Sequence, residues 1–146
     1  MIKEHTLEPD LSQSLYDEHT DCVSIKNCYI NIFNIAIENL YKFDFEGWKI
    51  AYGYMSSVDN LMVRHCFIVN RAGQAIDPTI FAIGNRNDET VARKIYASFK
   101  VFDDLDEYAK AIEDNKNIPD LLRPLMPLDI SFESTWAKPK SKILIR

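Results

Sequence analysis

The chain has 146 residues, the length of one ordinary domain, and its net charge of −5 includes no basic block, which argues against nucleic-acid phosphate as a partner. A hydrophobic fraction of 47% and an aromatic fraction of 12% suit a packed core and exclude global disorder. No stretch approaches the roughly 18 apolar residues that a membrane span requires, and the opening MIKEHTLEPD lacks a basic region followed by an apolar run, so neither a membrane partner nor a signal peptide is expected. Three cysteines, Cys22, Cys28 and Cys66, are an odd number, and reduced thiols in a cytoplasmic setting are the expectation.

Residues 1–20 read as polar and irregular, with one short apolar register around Leu11, Leu15 and Tyr16. From Cys28 the pattern turns helical. Tyr29, Phe33, Ala36, Ile37 and Leu40 recur at spacings of three and four, which puts them on one face. Asn27 is a natural N-cap, and the helix should end near Tyr41–Phe43, before a turn at Asp44–Gly47.

"GWKIAYGYM" alternates, with Trp48, Ile50, Tyr52 and Tyr54 on one face, and so predicts a strand. "SSVDN" breaks it, "LMVRHCFIV" predicts a second strand, "NRAG" a turn and "QAIDPTIF" a third strand. "ARKIYASFKVF" predicts a fourth, with Ile95, Ala97, Phe99 and Val101 in register. "DDLDEYAKAIEDN" predicts a short amphipathic helix capped by Asp103 or Asp104, with Leu105, Tyr108, Ala109 and Ile112 inward. The tail holds four of the six prolines and reads as loop, with one short helix at "PDLLRPLM" and a final strand at "SKILIR". The expected fold is α+β: a helix, a consecutive antiparallel meander packed beneath it, and a second helix, in a single domain over 1–146.

Three residues along this order can carry chemistry together. Cys28 sits at the first turn of the long helix, where unpaired backbone N–H groups and the positive dipole end stabilise a thiolate and can hold an oxyanion. By itself a free cysteine is most often a small buried hydrophobe. His65 lies mid-strand on the parity of Val63 and Phe67, opposite to Cys66; a lone histidine there is usually a core residue. Asp77 precedes Pro78, which holds its backbone extended, and Asp-Pro is also a common turn device.

Register decides whether the last two meet. If Val69 faces Ala75, with Gly73 taking a left-handed turn position, Asp77 shares a face with His65; if Val69 faces Gln74, Asp77 shares a face with Cys66. Both registers are open at the level of sequence. A zinc site from Cys22, Cys28, His65 and Cys66 is a further reading, although its spacing fits no usual finger pattern.

The ordered set "NCYINIFNIAIENL…WKIAYGY…VRHCFIVNRAGQAIDPT" resembles the transglutaminase-like branch of the papain-like cysteine-enzyme superfamily, with "YGY" at 52–54, "HCF" at 65–67 and "DPT" at 77–79 in the expected order. The layout is also similar to that of arylamine N-acetyltransferases. The resemblance covers roughly residues 22 to 81, and with it the papain-like core is expected over about 22–102. It implies a Cys28–His65–Asp77 triad acting on a protein, peptide-like or other acyl substrate, with no cofactor and no metal. Hydrolysis of an amide or peptide bond, as by a thiol protease, is the expected reaction, with transamidation or acetyl transfer by the same unit; a non-catalytic binding module on the same scaffold is the alternative. Phe67 stands where the family usually has Trp. Papain-like enzymes also place Gln or an aromatic residue upstream to hold the oxyanion. Position 22 is a cysteine here, which leaves Tyr16, Ser24 and Asn27 as candidates.

Overall fold

A computed structural model describes residues 2–56, 61–82, 91, 94–132 and 143–144. In chain order the elements are β1 (Lys3–Thr6), α1 (Pro9–Glu18), α2 (Cys28–Glu38), α3 (Leu40–Phe45), β2 (Lys49–Ser56), β3 (Met62–Val69) and β4 (Ala75–Ile76). A 3-10 turn at Pro78–Ala82 follows, then β5 (Ile95–Val101), α4 (Leu105–Asp114), α5 (Leu122–Phe132) and β6 (Ile143–Leu144). The fold is α+β, built on an antiparallel sheet in the order β1-β5-β2-β3-β4, with β6 lying parallel beside the start of β3. Residues 57–60, where a break after β2 is expected, and residues 92–93, expected to open β5, lie outside the described residues.

The sheet curls until its two edges touch. Leu7, just past β1, bridges Ala75 of β4, and the Glu8 backbone N–H donates to the Ala75 carbonyl at 2.7 Å. His5 closes the same seam, with Nδ1 2.8 Å from the Gly73 carbonyl and Nε2 2.8 Å from Ser98 Oγ. The strands are therefore no simple meander. β2, β3 and β4 follow one another, but β5 returns beside β2, and β1 adds to its outer edge. The opening residues, expected to be irregular, supply that edge strand and helix α1. Pro78 lacks a ladder donor and starts the 3-10 turn, so the third strand stops at Ile76, well short of Phe81.

Alternation along the strands gives each face of the sheet its own core. The outer face carries Ile50, Tyr52, Tyr54, Cys66 and Ile68 and packs on Ile32 and Ile35 of α2 and Tyr108 and Ile112 of α4. Inside the curl lie Ala51, Val63, Phe67, Ala75, Ile80 and Tyr96. The β2–β5 register shifts between Tyr52 and Gly53, leaving one extra residue on β5. Tyr96 points inside while Ala97 and Phe99 lie in the outer core, as simple alternation requires; the bulge at Phe99 then reverses parity, so that Val101 packs against the inner core. Of the four residues expected in register, Ala97 and Phe99 share a face, Ile95 is 48% exposed and Val101 lies against the other core.

Helix α2 is also rotated from the expected face. Cys28, Asn31, Ile32, Ile35 and Ala36 are buried, and Ile37 and Leu40 are half exposed. The helix is apolar at almost every turn position, so periodicity alone leaves its rotation loose, and the hydrogen bonds of Asn31 fix it. The helix ends at Asn39, whose side-chain amide donates to the Ile35 carbonyl at 2.8 Å and lies 3.1 Å from His19 Nε2. In α4, Asp104 is the cap, accepting from Glu107 N–H at 2.8 Å; Tyr108 and Ile112 are buried, while Ala109 is exposed. Among the described residues no helix is long and apolar enough to cross a membrane.

Candidate active site

Cys28 opens α2. The chain reaches it through Lys26 at φ 67°, a left-handed turn that sends the loop into the helix start. Asn27 flanks the helix in the N-cap position, but its side chain makes no cap; its Nδ2 donates instead to Ser24 Oγ at 2.8 Å. No side chain at the cap position therefore occupies the first-turn N–H groups beside Cys28.

β3 carries His65 on the face inside the curl. The β3–β4 register pairs Val69 with Ala75 and Ile68 with Ile76, and Gly73 takes φ 83° in the turn. Of the two registers open in the sequence, this one puts Asp77 on the His65 side. His65 Nε2 lies 2.9 Å from Asp77 Oδ2, and Cys28, which helps raise the pKa of the same imidazole, lines one cleft with it. With Nε2 committed to Asp77, Nδ1 is the ring nitrogen left for the thiol. The structure thus brings together all three residues singled out by the sequence.

Asp77 is completely buried. Its backbone N–H donates to Ser12 Oγ at 2.8 Å, and Ser12 Oγ donates to the Glu8 carbonyl at 2.6 Å, so α1 fixes the chain at this point. Tyr96 Oη donates to Asp77 Oδ2 at 2.6 Å, the oxygen already facing His65. Oδ1 has no partner.

Burial alone would lower the His65 pKa. The charges of Asp77 and Cys28 and their hydrogen bonds outweigh it and raise the value to about 10. At neutral pH the imidazole is therefore held protonated between a carboxylate and a thiol. That is the electrostatic condition for a thiolate–imidazolium pair.

Cys28 and His65 line one cleft of about 480 Å³, with Met55, Val63, Thr79 and Ile80 among its walls. The size falls within the usual range for small-ligand pockets, and the walls are mainly apolar. Asn27 and Arg64 also border it. Behind Arg64 its Nε pairs with Asp129 Oδ2, and Tyr54 Oη donates to Asp129 Oδ1 at 2.6 Å. Of the upstream residues considered for the oxyanion, Asn27 lines the cleft; Ser24 orients Asn27, and Tyr16 packs elsewhere.

Sequence reasoning missed Ser12 and Tyr96; at Asn31 it allows a hydrogen bond within the site but favours an exposed polar face, which the structure corrects. Asn31 is fully buried, accepts from Ser24 N–H at 3.1 Å, and donates to the Ser24 carbonyl at 2.8 Å and Thr79 Oγ1 at 3.0 Å. Its position three residues after Cys28, on the helix face shared with Ile32 and Ile35, was the available signal. Cys66 lies on the outer face against Tyr52, and burial together with the nearby Cys28 pushes its thiol pKa well up. Among the described residues no group of three or more His, Cys, Asp or Glu side chains could hold a metal ion. Comparison of the chain with protein-family models, curated proteins and solved structures finds no match.

Proposed function

We propose that this chain is a cysteine-dependent acyl-transfer enzyme built on a papain-like, transglutaminase-like core, acting on an amide or peptide-like substrate. One observation carries the reading: the His65 ring stands between the Cys28 thiol and the Asp77 carboxylate, with its pKa raised to about 10. The ordered resemblance of the Cys28, His65 and Asp77 segments supports it independently.

In this reading the Cys28 thiolate attacks the acyl carbon, and the carbonyl π electrons move onto oxygen. The donors available to that oxyanion are the uncapped N–H groups at the start of α2 and the Asn27 amide. As the tetrahedral intermediate collapses, the C–N bond breaks and the leaving amine takes the proton from His65, giving a thioester on Cys28. Water or an acceptor amine then attacks the thioester while His65 takes its proton, and the thiolate leaves. Asp77 holds the imidazole in one tautomer throughout and gains no proton. The walls of the cleft suit an acyl part with an apolar body, and free thiols fit a reducing, cytoplasmic setting.

The test is direct trapping. Incubation with a panel of small amide and thioester donors, followed by intact-mass analysis, is expected to give an acyl adduct on wild type and none on Cys28→Ala. A Cys28→Ala protein that keeps its full biological effect at normal stability would establish the alternative, a binding module on the same scaffold.

A further inference from the structure

Tyr96 sits on β5, three strands from β4 in the sheet order, yet its hydroxyl lies 2.6 Å from Asp77 Oδ2. Only the curl of the sheet makes this possible, because it turns the inner face of β5 toward the tip of β4. The Tyr96 ring packs on His65 and on Phe67, two residues further along β3, with its centroid 6.3 Å from the His65 ring and 5.1 Å from Phe67. Tyr96 and Asp77 are both fully buried, so water does not compete for the bond.

We infer that Tyr96 is a positioning residue for the His65–Asp77 pair: its phenol fixes which oxygen of Asp77 faces the imidazole inside the curl. The inference rests on the acyl-transfer reading for its consequence in catalysis but not for its geometry. Oδ2 accepts from both His65 and Tyr96 while Oδ1 accepts from neither, so the two donors converge on one oxygen. A carboxylate held only by its backbone and one imidazole is free to rotate about χ2; a second donor on Oδ2 removes that freedom. Burial, followed by the charge of Asp77, pushes the Tyr96 phenol well above its ordinary range, so it stays a donor through the working pH range. Ser12 fixes the Asp77 backbone from the opposite side. Strand β5 and helix α1 thus hold the acid, and β3 carries the base it serves.

Tyr96→Phe removes the hydroxyl and keeps the ring. Two readouts apply: the pH profile of Cys28 alkylation by iodoacetamide, and the ring N–H signals of His65 by NMR with labelled histidine. The expected result is a downfield, solvent-protected Nε2–H signal in wild type that is lost or shifted upfield in Tyr96→Phe. The alkylation rate at neutral pH should fall about tenfold or more, with its acidic limb moved to higher pH by roughly one unit. Site-specific 3-fluorotyrosine at 96, a stronger donor of nearly the same shape, should move that limb the other way, and it serves if Tyr96→Phe does not fold. An unchanged His65 signal and an unchanged profile in either variant would overturn the inference. If the His65 signal responds to Tyr96→Phe while wild-type Cys28 reacts as an ordinary thiol, the positioning role stands and the acyl-transfer reading fails.

Discussion

Asn31 Nδ2 lies 3.0 Å from Thr79 Oγ1, and this bond ties the helix that begins with Cys28 to the turn that follows Asp77. The same amide holds both backbone groups of Ser24, in the loop that leads into the helix. One buried side chain therefore sets the Cys28 loop, the helix rotation and the turn after Asp77 relative to one another. Asn31→Ala should cost about 2–3 kcal/mol in urea denaturation, since it strips partners from buried polar groups. It should also slow Cys28 alkylation in protein that remains folded. A stability loss below half a kilocalorie would show that Asn31 fixes nothing.

Gly53 makes a second structural prediction. It pairs with both His65 and Ser98 at the β-bulge, and a Cβ there would meet the Ala97 carbonyl oxygen at 1.9 Å. That neighbour is backbone and cannot step aside. Gly53→Ala should therefore destabilise the protein by about 3 kcal/mol or more, and thermal melting should show it. A variant with wild-type Tm would mean that the bulge relaxes freely.

Much of the outer sheet was legible because it alternates: β2, β3 and the Asp104-capped helix stand where their patterns place them. The helix carrying Cys28 was legible in extent but not in rotation, because an almost wholly apolar helix has no strong polar side. The β1 edge was not legible, since "KEHT" is polar and pairs with β5 through backbone groups that carry no sequence signal. Tyr96 was missed because the strand's pattern marks the face of Ile95, Ala97 and Phe99, and only the curl of the sheet brings the opposite face, with Tyr96, to Asp77. For the site, the sequence narrowed His65 and Asp77 to two registers, and Gly73 at φ 83° accompanies the one observed.

Two histidines should shape stability on either side of neutrality. His65 has its folded pKa raised to about 10 from an ordinary 6.5, so its contacts contribute fully below 6.5 and are lost as pH rises toward 10. His5 is shifted the opposite way: burial lowers its pKa, Lys3 adds to this, and the Gly73 carbonyl opposes it. The folded state favours neutral His5, so its contribution is present above 6.5 and is lost as pH falls below that value. Urea denaturation at about pH 5, pH 6.5 and pH 9 should therefore show His5→Gln flattening the acidic arm and His65→Gln the alkaline arm. Parallel curves for both variants and wild type would remove these assignments.

The central claim is that Cys28, His65 and Asp77 act as one activated thiol unit, and the most direct measurement is alkylation of the native protein by iodoacetamide across pH, with each cysteine followed by mass spectrometry. Cys28 is expected to label first from mildly acidic pH through neutrality, ahead of half-buried Cys22 and of Cys66, whose thiol burial pushes up. His65→Ala should return Cys28 to ordinary thiol behaviour, and Asp77→Asn should slow it by disturbing the imidazole tautomer. Equal labelling of all three cysteines, with the pH dependence of a free thiol and no response to His65→Ala, would contradict the claim.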